Sequence, residues 1–426
     1  MIRRLFRTRL TFLPLRKTAF LLIAAPLLLA GACSKVPAGE SRVPAASDEP
    51  VGFAVGGQTK GKTPLTTLPA LAGQDFSVSA WYSPDGGSFQ SQDVPTVKYF
   101  ENHRFGYIKG ATEDDSYANH VWQGVARSST NALSPDLVSW PLDGTLSFFC
   151  YAPYRTGDAD IVLEAPVTDD AVIARLPDYL PGSPLIRVTP AEAAADQADF
   201  LCAPPLLDRS RFDEAGAFPL DFSKHRMTQV EFGFNYEGTL DSSPGVEESV
   251  RVLSIAVKNI IGSRYMYYTQ TAPAMTGSSW SMSVSPADPA DGAAFPTADY
   301  TLQAAQGELK TYPAGGLPAV TEPRSNNYEI VSTDKGRLFL LPQTLPADAR
   351  LEISYGIIEV HGVTKVLETI TWNLADGTLS SWPEGKRVRY LFTIDIPERG
   401  VVAASAEILD WKASGNEGPS DQELIY

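Results

Sequence analysis

The chain has 426 residues, with 35 basic and 50 acidic side chains, 33 glycines, 33 prolines and three cysteines. Its formal charge of −15 argues against nucleic acid and anionic lipid as partners, because both need basic patches. Three cysteines exclude a disulfide scaffold, and so many glycines and prolines leave little room for long helices.

Arg3, Arg4, Arg7, Arg9, Arg16 and Lys17 make a cationic start, followed by an apolar run from Ala19 to Leu29 and then Ala30-Gly31-Ala32-Cys33. The run is shorter than the roughly 20 residues that span a bilayer, so residues 1–32 read as a removable export signal. Small residues directly before Cys33 suit a lipoprotein signal peptidase, although Ala30 stands where Leu is usual and Leu29 comes one step earlier. Cys33 is therefore the expected lipid-bearing N-terminus; the other reading is an ordinary secretory signal with an incidental cysteine. Ser34 after the cysteine favours the outer membrane, and the lack of an acidic run beside Lys35 leaves surface and periplasmic orientations both open. Removal of the signal takes six basic residues with it, leaving 394 residues at a formal charge of −21. No other segment has the length and apolarity to cross a bilayer, so lipid is the only expected anchor.

Residues 33–50, small, polar and proline-rich, read as a flexible tether. Strand and turn signals follow. Phe76, Val78, Ala80 and Tyr82 alternate onto one face, as do Val230, Phe232, Phe234 and Tyr236. Tyr390, Phe392, Ile394 and Ile396 repeat the pattern, and so do Val402, Ala404, Ala406 and Ile408. Pro84-Asp85-Gly86-Gly87, Asp143-Gly144 and Asp376-Gly377 are turns between them. The best helical stretch, Ala191–Phe200, predicts one to three turns. Many short strands without βαβ alternation predict an all-β chain of antiparallel sandwiches. The length predicts two, residues 51–212 and 213–411, meeting near the polar stretch Asp208–Ala217, with a polar tail over 412–426.

Catalytic signatures do not emerge. There is no Gly-x-Ser-x-Gly elbow, no His-Glu-x-x-His and no phosphate-binding glycine loop. His103, His120, His225 and His361 never pair at metal spacing, and no cofactor or metal is expected. His225, beside Lys224 and Arg226 at a strand start, reads as a packed or hydrogen-bonded ring. Glu113-Asp114-Asp115 and Asp288-x-x-Asp291-Gly292 lack the ligand spacing of a calcium loop and read as solvated. Cys150 and Cys202, both in apolar strand-like runs, read either as one disulfide or as two buried thiols. The seven tryptophans read mostly as core, while Tyr265-Met266-Tyr267-Tyr268 alternates poorly and predicts one exposed aromatic face.

Several landmarks in order resemble the fimbrillin family, the pilin lipoproteins of Bacteroidetes. After Cys33 come a short strand, Val51–Val55, and a Thr-Lys element, Thr59-Lys60-Gly61-Lys62-Thr63. Trp140-Pro141 leads into Leu146–Pro153, and Asp199-Phe200-Leu201-Cys202-Ala203 and His225-Arg226-Met227-Thr228-Gln229-Val230 match two further family strands. Leu341-Pro342-Gln343, Trp382-x-x-Gly385-Lys386 with Tyr390, and Ile408-x-x-Trp411 complete the series. The resemblance implies two tandem transthyretin-like antiparallel β-sandwich domains. It also implies assembly by strand exchange, in which a protease cuts after the first strand and a neighbour's C-terminal strand fills the groove. Contacts of that head-to-tail kind build a filament. Carried onto this chain, Val51, Phe53 and Val55 are the displaced strand, Lys60 or Lys62 the processing site, and Val402, Ala404, Ala406 and Ile408 the candidate donor. The best-known family pattern has an Arg at the cut; here Arg42 lies before the strand instead. The implied partners are other pilus subunits, a surface receptor and, through lipid alone, the outer membrane. The alternative is a surface glycan-binding lipoprotein of an outer-membrane uptake system, which needs exposed aromatic platforms.

Overall fold

The computed structural model describes residues 44–55, 75–84, 87–90, 96–107, 121–130, 132–156, 160–213, 217–272, 275–281, 296–303, 310–313, 329–330, 337–374, 377 and 379–411. The strands of the first half are β1 (Ala46–Pro50), β2 (Gly52–Val55), β3 (Phe76–Ser83), β4 (Val97–Gly106), β5 (Trp122–Arg127), β6 (Leu133–Pro135) and β7 (Ser139–Pro141). They continue as β8 (Thr145–Ala152), β9 (Ile161–Glu164), β10 (Leu185–Val188), β11 (Leu201–Cys202), β12 (Leu206–Arg209) and β13 (Phe218–Leu220). Among the described residues, helix is limited to one turn, α1 (Asp170–Ile173), and the 3-10 turn Ala194–Asp196. The turn or turns expected over Ala191–Phe200 thus shrink to that single 3-10 turn.

Most of these strands form one sheet in the order β11-β8-β3-β4-β5-β2-β13, with β12 also on β8 and β6 on β5. As the alternation predicts, Phe76, Val78, Ala80 and Tyr82 of β3 enter one core, beside Val51, Phe53, Phe105, Trp122, Trp140 and Phe148. The opposite face of β3 is buried too. Trp81 there joins Phe149 and Tyr151 in a second core. Two of its serines are satisfied by Asn102 in β4: Ser77 Oγ donates to Asn102 Oδ1 at 2.6 Å, and Asn102 N donates to Ser79 Oγ at 2.8 Å. Asp143-Gly144 makes the turn into β8, with Gly144 at φ +69; a Cβ there would lie 2.4 Å from the Ser83 carbonyl oxygen.

The second half contributes β14 (Thr228–Glu237), β15 (Ser249–Ile261), β16 (Arg264–Ala272), β17 (Met275–Trp280), β18 (Thr297–Gln303), β19 (Lys310–Pro313) and β20 (Glu329–Ile330). It ends with β21 (Arg337–Leu340), β22 (Gln343–Thr344), β23 (Arg350–Ile358), β24 (Thr364–Asn373), β25 (Ser381–Trp382), β26 (Lys386–Asp395) and β27 (Gly400–Asp410). Two sheets, β20-β14-β26-β27 with β21 on β14, and β18-β15-β23-β24 with β19 on β15, enclose a third core. Val230, Phe232, Phe234, Tyr390, Phe392 and Ile394 point into it from one sheet and Val252, Ile255, Leu351 and Ile353 from the other. The described ladders are antiparallel except β2 with β13 and β14 with β26, which are parallel. Parallel neighbours need a long crossover, and β14 and β26 are separated by the whole opposing sheet.

Two features tie the halves together. The four-stranded sheet β17-β16-β10-β9 takes two strands from each, pairing Leu185 with Tyr267 and Val188 with Arg264. It covers the second core, so Met266 and Tyr268 are fully buried there, and Tyr267 is 2% exposed against Leu176, Tyr179 and Leu185. The exposed tyrosine face expected at 265–268 is absent, because the second core covers Met266 and Tyr268 and the segment holding Leu176 and Tyr179 covers Tyr267. The second feature is the segment around Ala194–Asp196. Ala193 bridges Thr301 of β18, Gln197 Oε1 accepts from the Phe339 N–H of β21 at 2.7 Å, and Ala194 packs on the third core. Residues of the first half thereby cover an edge of each sheet in the second.

Candidate functional site: the first strand and the C-terminal seam

The extended segment 46–55 is tied down along its length. β1 pairs with β7, Leu142 N–H donates to the Ala45 carbonyl at 3.0 Å, and Val51 N–H donates to the Val138 carbonyl at 2.8 Å. β2 then enters the main sheet between β5 and β13, with Phe53 opposite Trp122 on one side and Phe218 on the other. It is an interior strand only four residues long. Large residues alternate inward (Val51, Phe53 and Val55) while Gly52 and Ala54 take the other face, the pattern that suits close packing between two neighbours. Phe53 is fully buried, its ring 5.2 Å from Phe148, 5.3 Å from Phe105 and 6.3 Å from Phe76, all edge-on. Behind that first ring of contacts lie Trp140, Phe218 and Phe222. Phe53 is thus the hub of an aromatic core in which Phe76, Phe105 and Phe148 sit on β3, β4 and β8, strands that pair with one another without it.

Where the chain re-enters this sheet, Asp75 is clamped. Arg127 Nε and Nη2 each donate to its carboxylate at 2.7 Å, Arg104 Nε lies 3.6 Å away, and Tyr154 N–H donates to its carbonyl at 2.8 Å. The Asp75 hydrogen bond raises the Arg127 pKa. Gly106 makes room for the clamp, since a Cβ there would sit 2.8 Å from Asp75 Oδ1. Sequence reasoning missed the clamp; only the position of an Asp directly before an alternating strand hints at it. Cys33, Arg42, Lys60 and Lys62 lie outside the described residues.

The candidate donor strand β27 is an edge strand, paired on one side by β26 over its whole length. Ala404 and Ala406 rest on the third core, and Ile408 is 39% exposed. β26 is interior and supplies Val388, Tyr390, Phe392 and Ile394 to that core. The end of β27 is fixed: the Trp411 ring stacks on His225 (4.3 Å, 16°) and on Phe339 (5.7 Å, 22°).

Around Trp411 the scattered family landmarks converge into one buried seam. His225 Nδ1 pairs with Asp199 Oδ2 at 2.5 Å, as expected of a structural ring, and burial pushes the Asp199 carboxyl above its ordinary range against the pull of His225. Arg226, 5% exposed, ion-pairs with Glu384 and donates to the Ser278 carbonyl at 2.6 Å. Burial raises the Glu384 pKa despite that pairing. Arg264 donates to the Pro342 carbonyl and, at 2.6 Å, to that of Ser281; burial lowers its pKa. Gln343 holds Ile261 N–H at 2.7 Å, and Gly385 N–H donates to the Met227 carbonyl at 2.9 Å. Cys150 and Cys202 are free and buried, with thiol pKa values raised by burial. Cys202 pairs with Tyr151 in the ladder, so the two cysteines belong to different cores on opposite sheet faces. Six of the seven tryptophans are buried and Trp372 packs on the third core, which leaves no exposed tryptophan platform.

The seam is a structural tie with no reactive geometry, and among the described residues no three His, Cys, Asp or Glu side chains gather as metal ligands. No described helix is long and apolar enough to cross a membrane. No curated protein matches the sequence. Among solved structures, a candidate cell adhesion protein of Bacteroides uniformis is 13% identical, covering 86% of this chain and 99% of its own with a TM-score of 0.40. One of Bacteroides ovatus is 13% identical, covering 87% and 100%, also with a TM-score of 0.40. The sequence profile described as fimbrillin-like matches residues 103–411, most of the chain and all of the seam. The chain belongs to the fimbrillin-like family.

Proposed function

We propose that this chain is a structural subunit or adhesin of a cell-surface pilus, exported as a precursor lipidated at Cys33 and assembled by protease-triggered strand exchange. In this reading residues 51–212 and 213–411 are its two sandwich domains, with β13 of the second reaching back to pair with β2 of the first. The observation that carries it is the placement of β2: a four-residue strand seated between β5 and β13, with Phe53 plugged into an aromatic core. Its removal opens a groove with unpaired N–H and C=O groups on both banks and an apolar floor, which only another extended strand satisfies. The Asp75 clamp supports the same reading, since it holds the start of β3 on the body when the chain before it departs.

The test is to map the first residue of protein extracted from the cell surface and to run it unboiled on a denaturing gel. A start near Gly61 or Thr63 with an SDS-resistant ladder is the expected result. A lipidated Cys33 start with a single monomer band would overturn strand-exchange polymerisation. Replacement of Cys33 by Ala should abolish incorporation of labelled palmitate and release the protein from membranes.

A further inference from the structure

The β2 groove carries information about the strand that replaces β2, and that information does not match this chain's own C-terminal strands. Resting on the strand-exchange reading above, we infer that the groove selects a strand whose alternate residues read aliphatic–aromatic–aliphatic, and that neither β26 nor β27 of a second copy is that strand.

The groove is filled by three inward side chains at alternate positions, Val51, Phe53 and Val55, exposed to 0%, 0% and 5%. The central position is the demanding one. Phe53 meets three phenyl rings edge-on within 6.3 Å, and those rings are braced by Trp140, Phe218 and Phe222. A strand with a small residue there leaves a hole the size of a ring in a wall that cannot collapse, because its members are fixed by their own ladders. The flanking positions hold buried valines, 0% and 5% exposed, and a second ring there would overpack the core. Outward, the strand must be small, as Gly52 and Ala54 are.

Neither of the last two strands satisfies this. In β27 the alternate residues read Val402, Ala404, Ala406, Ile408 in one series and Ala403, Ser405, Glu407, Leu409 in the other, with no aromatic residue within the strand; Trp411, next after Leu409, is stacked on His225 and Phe339. In β26 the aromatic residues are adjacent in the alternation, so Tyr390 is flanked by Val388 and Phe392, and Phe392 by Tyr390 and Ile394. Each puts a second ring where β2 has valine. β26 is also committed to the third core, and β27 is pinned by Trp411 against His225 and Phe339.

Two measurements test this on the full chain. The first compares melting temperatures. A variant carrying the β27 residues in the groove, Val51→Ala/Phe53→Ala/Val55→Ile, should melt about 5–10 °C below the unsubstituted protein. Val51→Ile/Val55→Ile, which keeps Phe53, should melt within about 3 °C. Equal melting of all three would overturn the selectivity. The second uses protein treated with a Lys-specific protease and offered three biotinylated peptides: residues 48–56, the same peptide with Phe53→Ala, and residues 399–411. Capture of the first on an unboiled gel, with at least tenfold less of the other two, supports the inference. Equal capture of 399–411 overturns it while leaving strand exchange standing. Capture of none overturns strand exchange itself, and the melting comparison still decides the selectivity of the pocket.

Discussion

Asp75 shows how much a single carboxylate does in this fold. Its side chain is 8% exposed and receives two 2.7 Å bonds from Arg127, so the pair is a charge-assisted fork in a shielded place. Asp75→Asn removes the charge and one acceptor and leaves the guanidinium poorly satisfied. The expected loss is about 1–3 kcal/mol in a urea titration, against almost none for the exposed pair partner Glu101→Gln. Asp199 makes a second case, through pH. Burial raises its pKa, so the native state holds its proton more tightly than the unfolded chain. A group of this sign contributes stability that is complete below its unfolded pKa and is lost as pH rises through the higher folded value. Between about pH 4 and neutrality, Asp199→Asn should therefore flatten a decline in stability relative to the unsubstituted protein. Identical pH slopes for the two proteins would show that Asp199 does not titrate differently on folding. These residue-level ties were the least legible part of the sequence. Asp199 and His225 were visible as landmarks, but their contact, 26 residues apart, required the fold.

At the level of elements, alternation was a reliable guide to what each strand puts in a core and a poor guide to what covers its other face. Phe76, Val78, Ala80 and Tyr82 share one core as the pattern predicts. Ser77 and Ser79 between them are buried as well, because Asn102, at φ 47 in an irregular stretch of β4, supplies their partners. Tyr265–Tyr268 failed for the same reason in reverse: both faces are covered, one by the second core and the other by Leu176 and Tyr179 from far earlier in the chain. Parallel pairing of β14 with β26 left no local trace either, since each strand alternates as an antiparallel one does. β27 depends most on its end. With one ladder only, it gains its fixity from Trp411, whose truncation to Ala should cost about 3–5 kcal/mol. Native-state hydrogen exchange should then speed up across β27 while β14, paired on both sides, stays protected. Uniform acceleration throughout the chain would show that Trp411 has no local hold.

For the molecule as a whole, the seam and the shared four-stranded sheet decide how it comes apart. Trp81 and Phe149 from the first half share a core with Met227, Met266, Trp280, Leu341 and Trp411 from the second, and Arg226 and Arg264 bind carbonyls across it. Interruption of that core exposes both halves at once, so calorimetry of the mature chain should record one cooperative transition. Two resolved transitions would mean that the halves are energetically independent. The ordered landmarks were legible in the sequence as a family resemblance well before their reason was. Five of them, between Asp199 and Trp411, contribute residues to this seam.

The 3-10 turn at Ala194–Asp196, wedged between β18 and β21, has a bearing on manufacture as well as on form. A fragment starting at residue 213 would emerge without the stitch that finishes two raw margins, and those margins would take whatever strand came to hand, most readily one from a sister fragment. Inside the intact chain that vacancy never arises, because the earlier residues are made first and are already waiting.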